Sequence, residues 1–219
     1  DADFHGINVA RVAKAIADYL TGSGSSGSGV FVGYDGRKNS KGFARICAEV
    51  LASSGIKSVV PTRPVPTPVS AFAAVKYSLN GAIMITASHN PAEYNGLKIS
   101  GREAVPVGYN TGLDRLETMT SVLLAAEAAP AGDGAVPAAA GSLRLLDIRA
   151  DYLAHLARFR DGIGGLKVVV DYSNGTGSVY LPGALEGLPC TVVPMFDEPD
   201  GRFPNHDPNP LVEANLDAL

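Results

Sequence analysis

The side chains best suited to chemistry lie within residues 81–100. An apolar run there ends at a polar stretch that contains Ser88 and His89, and Lys98 follows an Asn-Gly pair. Because a short apolar run bounded by turn residues is typical of a buried strand, this stretch predicts a strand that leads into a tight loop. Loops held by a rigid scaffold often carry chemistry, so the serine, the histidine and the lysine are candidate catalytic residues.

A serine next to a histidine permits three interpretations. A hydrolase nucleophile with His89 as its base is disfavoured, because adjacent side chains on an extended backbone point in opposite directions. The sequence also has no Gly-x-Ser-x-Gly elbow around Ser88. The second interpretation is a polar structural turn, and the third is a serine that carries a phosphoryl group, with His89 and Lys98 handling charge and protons. Composition does not decide between the last two.

A resemblance to a known family favours the third interpretation. The run Thr86-Ala-Ser-His-Asn-Pro91, followed by Tyr94-Asn-Gly-Leu-Lys98, resembles the active-site serine loop of the α-D-phosphohexomutases. This family comprises phosphomannomutases, phosphoglucomutases and phosphoglucosamine mutases, and its serine is phosphorylated in the active enzyme. The resemblance therefore implies a phosphoserine at Ser88.

Four further segments resemble the same family in the same order along the chain. Residues 32–37 resemble the first-domain strand and arginine turn, and residues 65–68 resemble the Pro-Thr-Pro loop. Residues 168–175 and 200–210 resemble the opening strand of the second domain and its Phe-Pro-Asn-His loop. The last segment favours the phosphomannomutase and phosphoglucomutase branch over the phosphoglucosamine mutases.

The resemblance implies a role for each candidate residue. Ser88 would donate its phosphoryl group to a hexose monophosphate, and the resulting hexose 1,6-bisphosphate would reorient and return its other phosphate. Lys98 would stabilise charge and take part in proton transfer, and His89 would orient the phosphate or move protons. Arg37 would support the serine loop through paired hydrogen bonds. Without the resemblance, solvated or structural side chains would be the ordinary interpretation of these three.

The cofactors that the resemblance implies are Mg2+ and hexose 1,6-bisphosphate. The ion would bridge carboxylates and the phosphate on Ser88, which is the metal ligand expected within this chain. The family has four domains, and its Asp-Gly-Asp metal loop, sugar-choosing loop and phosphate clamp are expected beyond Leu219. We therefore expect the chain to be inactive by itself. A catalytically inactive or regulatory paralogue that binds sugar phosphates, and a phosphoglucosamine mutase, stay open as alternatives.

Alternating strand and helix patterns predict an α/β protein. The resemblance implies two three-layer α/β/α domains with mixed sheets, the first carrying the phosphoserine loop. A stretch rich in Ala, Gly and Pro at residues 129–142 predicts a domain boundary, which divides the chain into residues 1–133 and 134–219. Residues 21–29 contain only Thr, Gly and Ser and predict a mobile loop or an engineered linker. Ser40 is suited to cap the following helix, and a final helix is predicted from Leu211.

Composition excludes several other classes of function. The net charge of −4, without a basic block, disfavours a nucleic-acid partner, and no apolar run is long enough to cross a membrane. The expected partners are small hexose phosphates. Two cysteines do not make a disulfide framework, and Cys47 is predicted to be a buried free thiol on a helix, which fits a cytoplasmic protein.

Two further patterns attract attention but indicate little chemistry. The glycine-rich run at residues 173–178 could hold a phosphate, yet it lacks the third glycine of a dinucleotide fingerprint and a Walker lysine. We interpret it as a plain turn between a strand and a helix. His206 and Asp207 could be metal ligands, but two adjacent residues are weak support, and we predict a structural or interfacial role.

Overall fold

A computed structural model describes residues 4–22, 28–126 and 142–219. The helices and strands up to the end of the first sheet are α1 (Gly6–Gly22), β1 (Val30–Tyr34), α2 (Ser40–Ser53), β2 (Ser58–Pro61), α3 (Thr67–Lys76), β3 (Gly81–Ile85), β4 (Leu97–Ser100), α4 (Leu113–Ala125) and β5 (Leu143–Leu146). The following ones are α5 (Arg149–Leu156), β6 (Lys167–Asp171), α6 (Leu181–Leu185) and β7 (Thr191–Met195).

The first sheet has the strand order β4-β3-β1-β2-β5 among the described residues. Strands β1, β2, β3 and β5 run parallel, and β4 pairs antiparallel with β3, so the sheet is mixed as predicted. Every residue of β1, β2 and β3 is buried, which explains why these strands appear in the sequence as short apolar runs rather than alternating patterns. Because β1 and β3 are neighbouring parallel strands, their carboxyl ends lie side by side.

Two hydrophobic clusters cover the two faces of this sheet. Val32 and Ile83 point into a cluster with α1, α2 and α4, whereas Phe31 and Met84 point into a cluster with α3 and the segment around Ile148. The alternation along β1 and β3 places successive side chains on opposite faces. The result is a three-layer α/β/α arrangement, which confirms the predicted fold class.

Strand β5 was not expected from the sequence. Residues 143–146 pair in parallel with β2, although they follow the predicted boundary after residue 133. The boundary itself, like most of the predicted loop or linker at residues 21–29, lies outside the described residues. Leu143 and Leu145 are exposed at the edge of the sheet, so β5 has neither a buried apolar run nor a clear alternation that would reveal it.

The second sheet consists of the parallel strands β6 and β7 in the part of the chain that the structure describes. The helix predicted from Leu211 is wrong, since only a short 3-10 turn at Glu213–Leu216 forms there. The side chain of Asn209 accepts the Leu211 N–H, and Asn215 donates to the Asn209 carbonyl oxygen. These local hydrogen bonds compete with a helical ladder.

The cysteines confirm the sequence-based prediction. Cys47 is buried on α2 and Cys190 is partly buried, and both are free thiols. Burial raises the pKa of the Cys47 thiol to about 12, so this group is an unreactive part of the core. Among the described residues, no helix is both long and apolar enough to span a bilayer.

Candidate active site

The Ser88 loop begins directly after β3 and closes onto the start of β4. The Thr86 N–H donates to the Gly96 carbonyl oxygen at 3.0 Å, and the Asn90 N–H donates to the Ala87 carbonyl oxygen at 3.1 Å. The Ser88 N–H donates to the Thr86 hydroxyl at 3.0 Å. Hydrogen bonds within the loop and at its base therefore define its shape.

Ser88 has an unusual backbone conformation. Its φ of 59° lies in the left-handed region, which non-glycine residues seldom adopt. Its side chain is exposed to solvent, whereas the preceding Ala87 is buried. Strained backbone that the surrounding structure maintains is concentrated at functional sites, and here the strain presents the serine hydroxyl to the outside.

Lys98 reaches this hydroxyl from the neighbouring strand. The antiparallel register of β3 and β4 sets Lys98 opposite Met84, close to where the Ser88 loop leaves the sheet. Its Nζ atom donates to Ser88 Oγ at 3.3 Å. The sheet thus brings together two residues that the sequence separates by a turn, and places a cation beside the candidate nucleophile.

His89 follows Ser88 on the exposed side of the loop. No hydrogen bond or ion pair holds its imidazole to any residue within the described ranges. It therefore has no partner that would orient it as the base of a hydrolase triad. Its ring nitrogens are available to a ligand that binds beside the serine.

Arg37 lies beneath the loop and is almost fully buried, with a side chain that is 2% exposed. Among the described residues, its guanidinium donates hydrogen bonds to backbone carbonyl oxygens of the Ser88 loop. The acceptors are Ser88 and Asn90, at 3.1 and 2.6 Å from Nη2, and Pro91 and Tyr94, at 2.5 and 3.2 Å from Nη1. The planar fork of an arginine suits such an array. Arg37 is therefore a structural clamp on the loop rather than a solvated turn residue.

An acidic side chain balances the buried charge of Arg37. Asp35 Oδ2 lies 3.3 Å from Arg37 Nε, and Asp35 Oδ1 accepts hydrogen bonds from the Arg37 N–H and from the Ser40 hydroxyl. Burial lowers the pKa of Arg37 from its usual value, and the Asp35 carboxylate opposes that change. Ser40 was predicted to cap α2, but Asn39 occupies the N-cap position. The buried Ser40 hydroxyl instead donates a hydrogen bond to Asp35.

Asn95 completes this network through its side chain. Its Nδ2 atom donates to Ser40 Oγ at 2.9 Å, and its Oδ1 atom accepts a hydrogen bond from the Gly96 N–H. Sequence reasoning missed Asp35, Ser40 and Asn95 as supports of the site. Asp35 could have been found from its position two residues before Arg37. In tight turns, the carboxylate of an aspartate commonly accepts a hydrogen bond from the backbone N–H of the residue two positions later. The long-range bond between Ser40 and Asn95 had no local signal.

A loop of the C-terminal region touches the same cluster. The Phe203 ring centroid lies 5.0 Å from the Arg37 Cζ atom. In the same loop His206 Nε2 lies 2.9 Å from Asp171 Oδ2 at the end of β6. The hydrogen bond to the Asp207 carbonyl oxygen, more than the Asp171 contact, raises the pKa of His206. His206 and Asp207 are thus structural in this arrangement, in line with the sequence-based interpretation.

The described residues offer no complete metal site. No group of three or more His, Cys, Asp or Glu side chains is arranged to hold an ion there. The Asp35 carboxylate, which lies near the loop, is already engaged by Arg37 and Ser40. The Mg2+ ion that the resemblance implies stays a prediction, and the phosphate proposed on Ser88 would be its ligand among the described residues.

Two family models match this chain. The model described as phosphoglucomutase/phosphomannomutase, alpha/beta/alpha domain I, matches residues 3–120, and domain II of the same family matches residues 150–219. The chain belongs to the phosphoglucomutase/phosphomannomutase family. Its Ser88 loop, Arg37 clamp and Lys98 all fall within the match to domain I of that family.

Curated relatives carry several phosphomutase names. The chain is 34% identical to a "Phosphomannomutase/phosphoglucomutase" of Pseudomonas aeruginosa, over 87% of this chain and 38% of the relative. It is 35% identical to "Phosphohexose mutases" of Xanthomonas campestris, over 86% of this chain and 40% of the relative. A "Probable phosphoglucosamine mutase" of Methanobrevibacter smithii is 32% identical, over 95% of this chain and 44% of the relative.

Solved structures show the same relationship. A phosphoglucomutase/phosphomannomutase family protein from Burkholderia thailandensis superposes with a TM-score of 0.78 at 27% identity. That match covers 98% of this chain and 45% of the other protein. The chain thus spans about two-fifths of the length of the curated family members it matches.

Proposed function

We propose that this protein is a phosphohexomutase that interconverts hexose 1-phosphate and hexose 6-phosphate, with Ser88 as the carrier of the phosphoryl group. The observation that carries the proposal is the contact between Lys98 Nζ and the exposed Ser88 Oγ, at 3.3 Å, on a loop that Arg37 holds in place. A serine that is presented to solvent next to a cation suits a group that bears a dianionic phosphate in its resting state.

The transfer step assigns a separate task to each side chain. The phosphoryl group leaves Ser88 Oγ as the bond from phosphorus to a sugar hydroxyl oxygen forms. Lys98 neutralises the phosphoryl charge and donates a proton to Ser88 Oγ as that oxygen becomes the leaving group. His89 accepts the proton of the attacking sugar hydroxyl. The return of the second phosphate from the hexose 1,6-bisphosphate uses the same groups with their proton roles reversed.

Positioning is the main contribution of the protein to such a displacement, since phosphoryl transfer needs aligned oxygens and balanced charge. The backbone bonds of the loop and the Arg37 clamp hold the serine at one place. A Mg2+ ion would add further charge neutralisation when bound.

The sugar is proposed to be mannose, glucose or both. The Phe-Pro-Asn-His segment at residues 203–206 and the name of the Pseudomonas aeruginosa relative support this choice. Glucosamine phosphate is the second candidate, because a relative named for that activity matches over almost the whole chain. Assays with the 1-phosphates of mannose, glucose and glucosamine in parallel separate the two.

The central test is Ser88→Ala in the full-length protein, compared with Ser53→Ala, an exposed serine on α2. Intact mass spectrometry is expected to find one phosphate on the wild type and on Ser53→Ala, and none on Ser88→Ala. Turnover of mannose 1-phosphate is expected to disappear with the phosphate. Turnover retained by Ser88→Ala contradicts the role of the serine. A wild type without phosphate and without turnover supports the inactive paralogue instead, and labelling of Ser88 by a fluorophosphonate supports an esterase.

A further inference from the structure

The buried guanidinium of Arg37 is covered on one face by a residue from the other domain. The ring centroid of Phe203 lies 5.0 Å from Arg37 Cζ, a distance at which the ring quadrupole attracts a cation. The edges of the same guanidinium donate to the Ser88 loop. We propose that Phe203 is a positioning residue that acts through Arg37 to hold Ser88 in place for phosphoryl transfer. The catalytic part of this inference rests on the proposed function.

The backbones of the two domains meet next to this contact. A Cβ atom added to Gly201 would lie 2.3 Å from the Gly36 carbonyl oxygen and 2.6 Å from Arg37 Cα. Real Cβ atoms do not approach backbone atoms so closely, so only a glycine permits this packing. The second-domain loop therefore presses on the turn that carries Arg37, and Phe203 follows two residues later.

The loop that carries Phe203 is itself firmly held. The Asp200 N–H donates to the Asn174 carbonyl oxygen at 2.9 Å, and the Phe203 N–H donates to the Asp200 carbonyl oxygen at 3.0 Å. The Asn205 side-chain amide donates to Asn174 Oδ1 at 2.8 Å. These bonds attach the loop to the turn after β6, so the position of the ring is set by the second sheet.

Phe203 also has a left-handed backbone, with a φ of 51°. This conformation is unfavourable for an aromatic residue and persists only where the surrounding structure imposes it. The residue that contacts Arg37, Phe203, therefore has a strained backbone. A continuous series of contacts runs from the Asn174 carbonyl oxygen through Asp200, Phe203 and Arg37 to the Ser88 carbonyl oxygen.

A cation–π contact needs the aromatic face of Phe203, and an apolar side chain of similar size does not replace it. A leucine at position 203 keeps an apolar side chain but removes the π face, whereas a tyrosine keeps the face. Phe203→Leu should therefore loosen the Arg37 clamp, and Phe203→Tyr should preserve it. Phe159→Leu is the matched control, because Phe159 is an exposed aromatic of the C-terminal region that packs against His155.

Hydrogen exchange followed by mass spectrometry on the full-length protein tests the contact directly. In Phe203→Leu, peptides from residues 86–95 are expected to exchange about fivefold faster, which corresponds to the loss of one cation–π contact. Peptides from β1, β6 and β7 should be unchanged, and Phe203→Tyr and Phe159→Leu should match the wild type. Unchanged exchange of residues 86–95 in Phe203→Leu overturns the proposal. Faster exchange throughout β6 and β7 also overturns it, because Phe203 would then serve the fold of its own domain.

Kinetics test the consequence for the reaction. Phe203→Leu is expected to lower kcat about fivefold with KM within about twofold of the wild type, and Phe203→Tyr is expected to restore kcat. A change in KM alone contradicts a positioning role. If the wild type shows no mutase turnover, the proposed function fails, while the exchange experiment still decides whether Phe203 holds the Ser88 loop.

Discussion

Lys98 Nζ lies 3.3 Å from Ser88 Oγ, across the junction of two antiparallel strands. This distance places a cation at the oxygen that would gain and lose a phosphoryl group. The antiparallel register of β3 and β4 sets this contact, so the sheet itself positions the charge. Preorganised charge of this kind stabilises a transition state without reorganisation during the reaction.

Replacing this cation should therefore impair chemistry more than binding. Lys98→Ala in the full-length protein is expected to lower kcat by about 10²-fold or more, because both charge stabilisation and proton donation at Ser88 Oγ are lost. KM should change little. Lys41→Ala, an exposed lysine on α2, is the control and should behave as the wild type. Steady-state assays with mannose 1-phosphate check this prediction, and an effect confined to KM would show that Lys98 only binds substrate.

The Arg37 clamp should require an arginine rather than a positive charge. Arg37→Lys keeps the charge but cannot donate to carbonyl oxygens on both edges of a planar fork. We expect it to lower the free energy of unfolding by about 1–3 kcal/mol, since buried acceptors lose their donors. The fraction of protein phosphorylated on Ser88 should fall as well. Urea unfolding and intact mass spectrometry measure the two effects, with Arg45→Lys on the exposed face of α2 as the control. Equal stability of the two variants would contradict the clamp.

His206 should make stability depend on pH, first through its hydrogen bond with the Asp207 carbonyl oxygen and then through Asp171, whose Oδ2 lies 2.9 Å from its Nε2. Hydrogen bonding raises the pKa of His206 in the folded state above its usual value of about 6.5. A raised folded pKa means that the protonated form is favoured by folding, so this contribution is complete below the unfolded pKa. It is lost as pH rises through the folded pKa.

The measurement compares unfolding of the wild type and His206→Gln by urea. The stability difference between them is expected to be larger at about pH 5.5 than at about pH 8.5. Because His206→Gln removes the imidazole, the pH dependence of the difference reports this histidine. A difference that stays constant, or that grows as the pH rises, would show that protonation of His206 does not stabilise the fold.

Gly81 should tolerate no side chain, because β3 and β4 approach closely there. A Cβ atom at this position would lie 2.1 Å from the Ser100 carbonyl oxygen. Gly81→Ala is expected to lower the free energy of unfolding by about 1–3 kcal/mol through forced backbone movement. Gly42→Ala is the matched control: it meets no atom within 4 Å on helix α2 and should stabilise the protein by up to about 1 kcal/mol. Thermal unfolding of both variants tests the contrast.

Much of the fold was accessible from the sequence because its central strands are fully buried. Apolar runs at β1 and β3, each ended by turn residues, marked both strands and the loops after them. The edge strand β5 escaped because Leu143 and Leu145 are exposed and follow no buried pattern. The helix predicted from Leu211 failed because Asn209 and Asn215 form local hydrogen bonds that apolar periodicity does not register.

By itself, the sequence determined which residues are candidates, and it placed three of them, Ser88, His89 and Lys98, on or beside one loop. Ser88 and His89 are neighbours in the chain, and the Asn-Gly pair before Lys98 predicts a turn followed by a short strand. Only the tertiary structure decided that Arg37 is buried under this loop and that Phe203 covers its guanidinium. The reason is physical: local propensities encode turns and strands, whereas burial of a charge depends on partners that folding brings from distant parts of the chain.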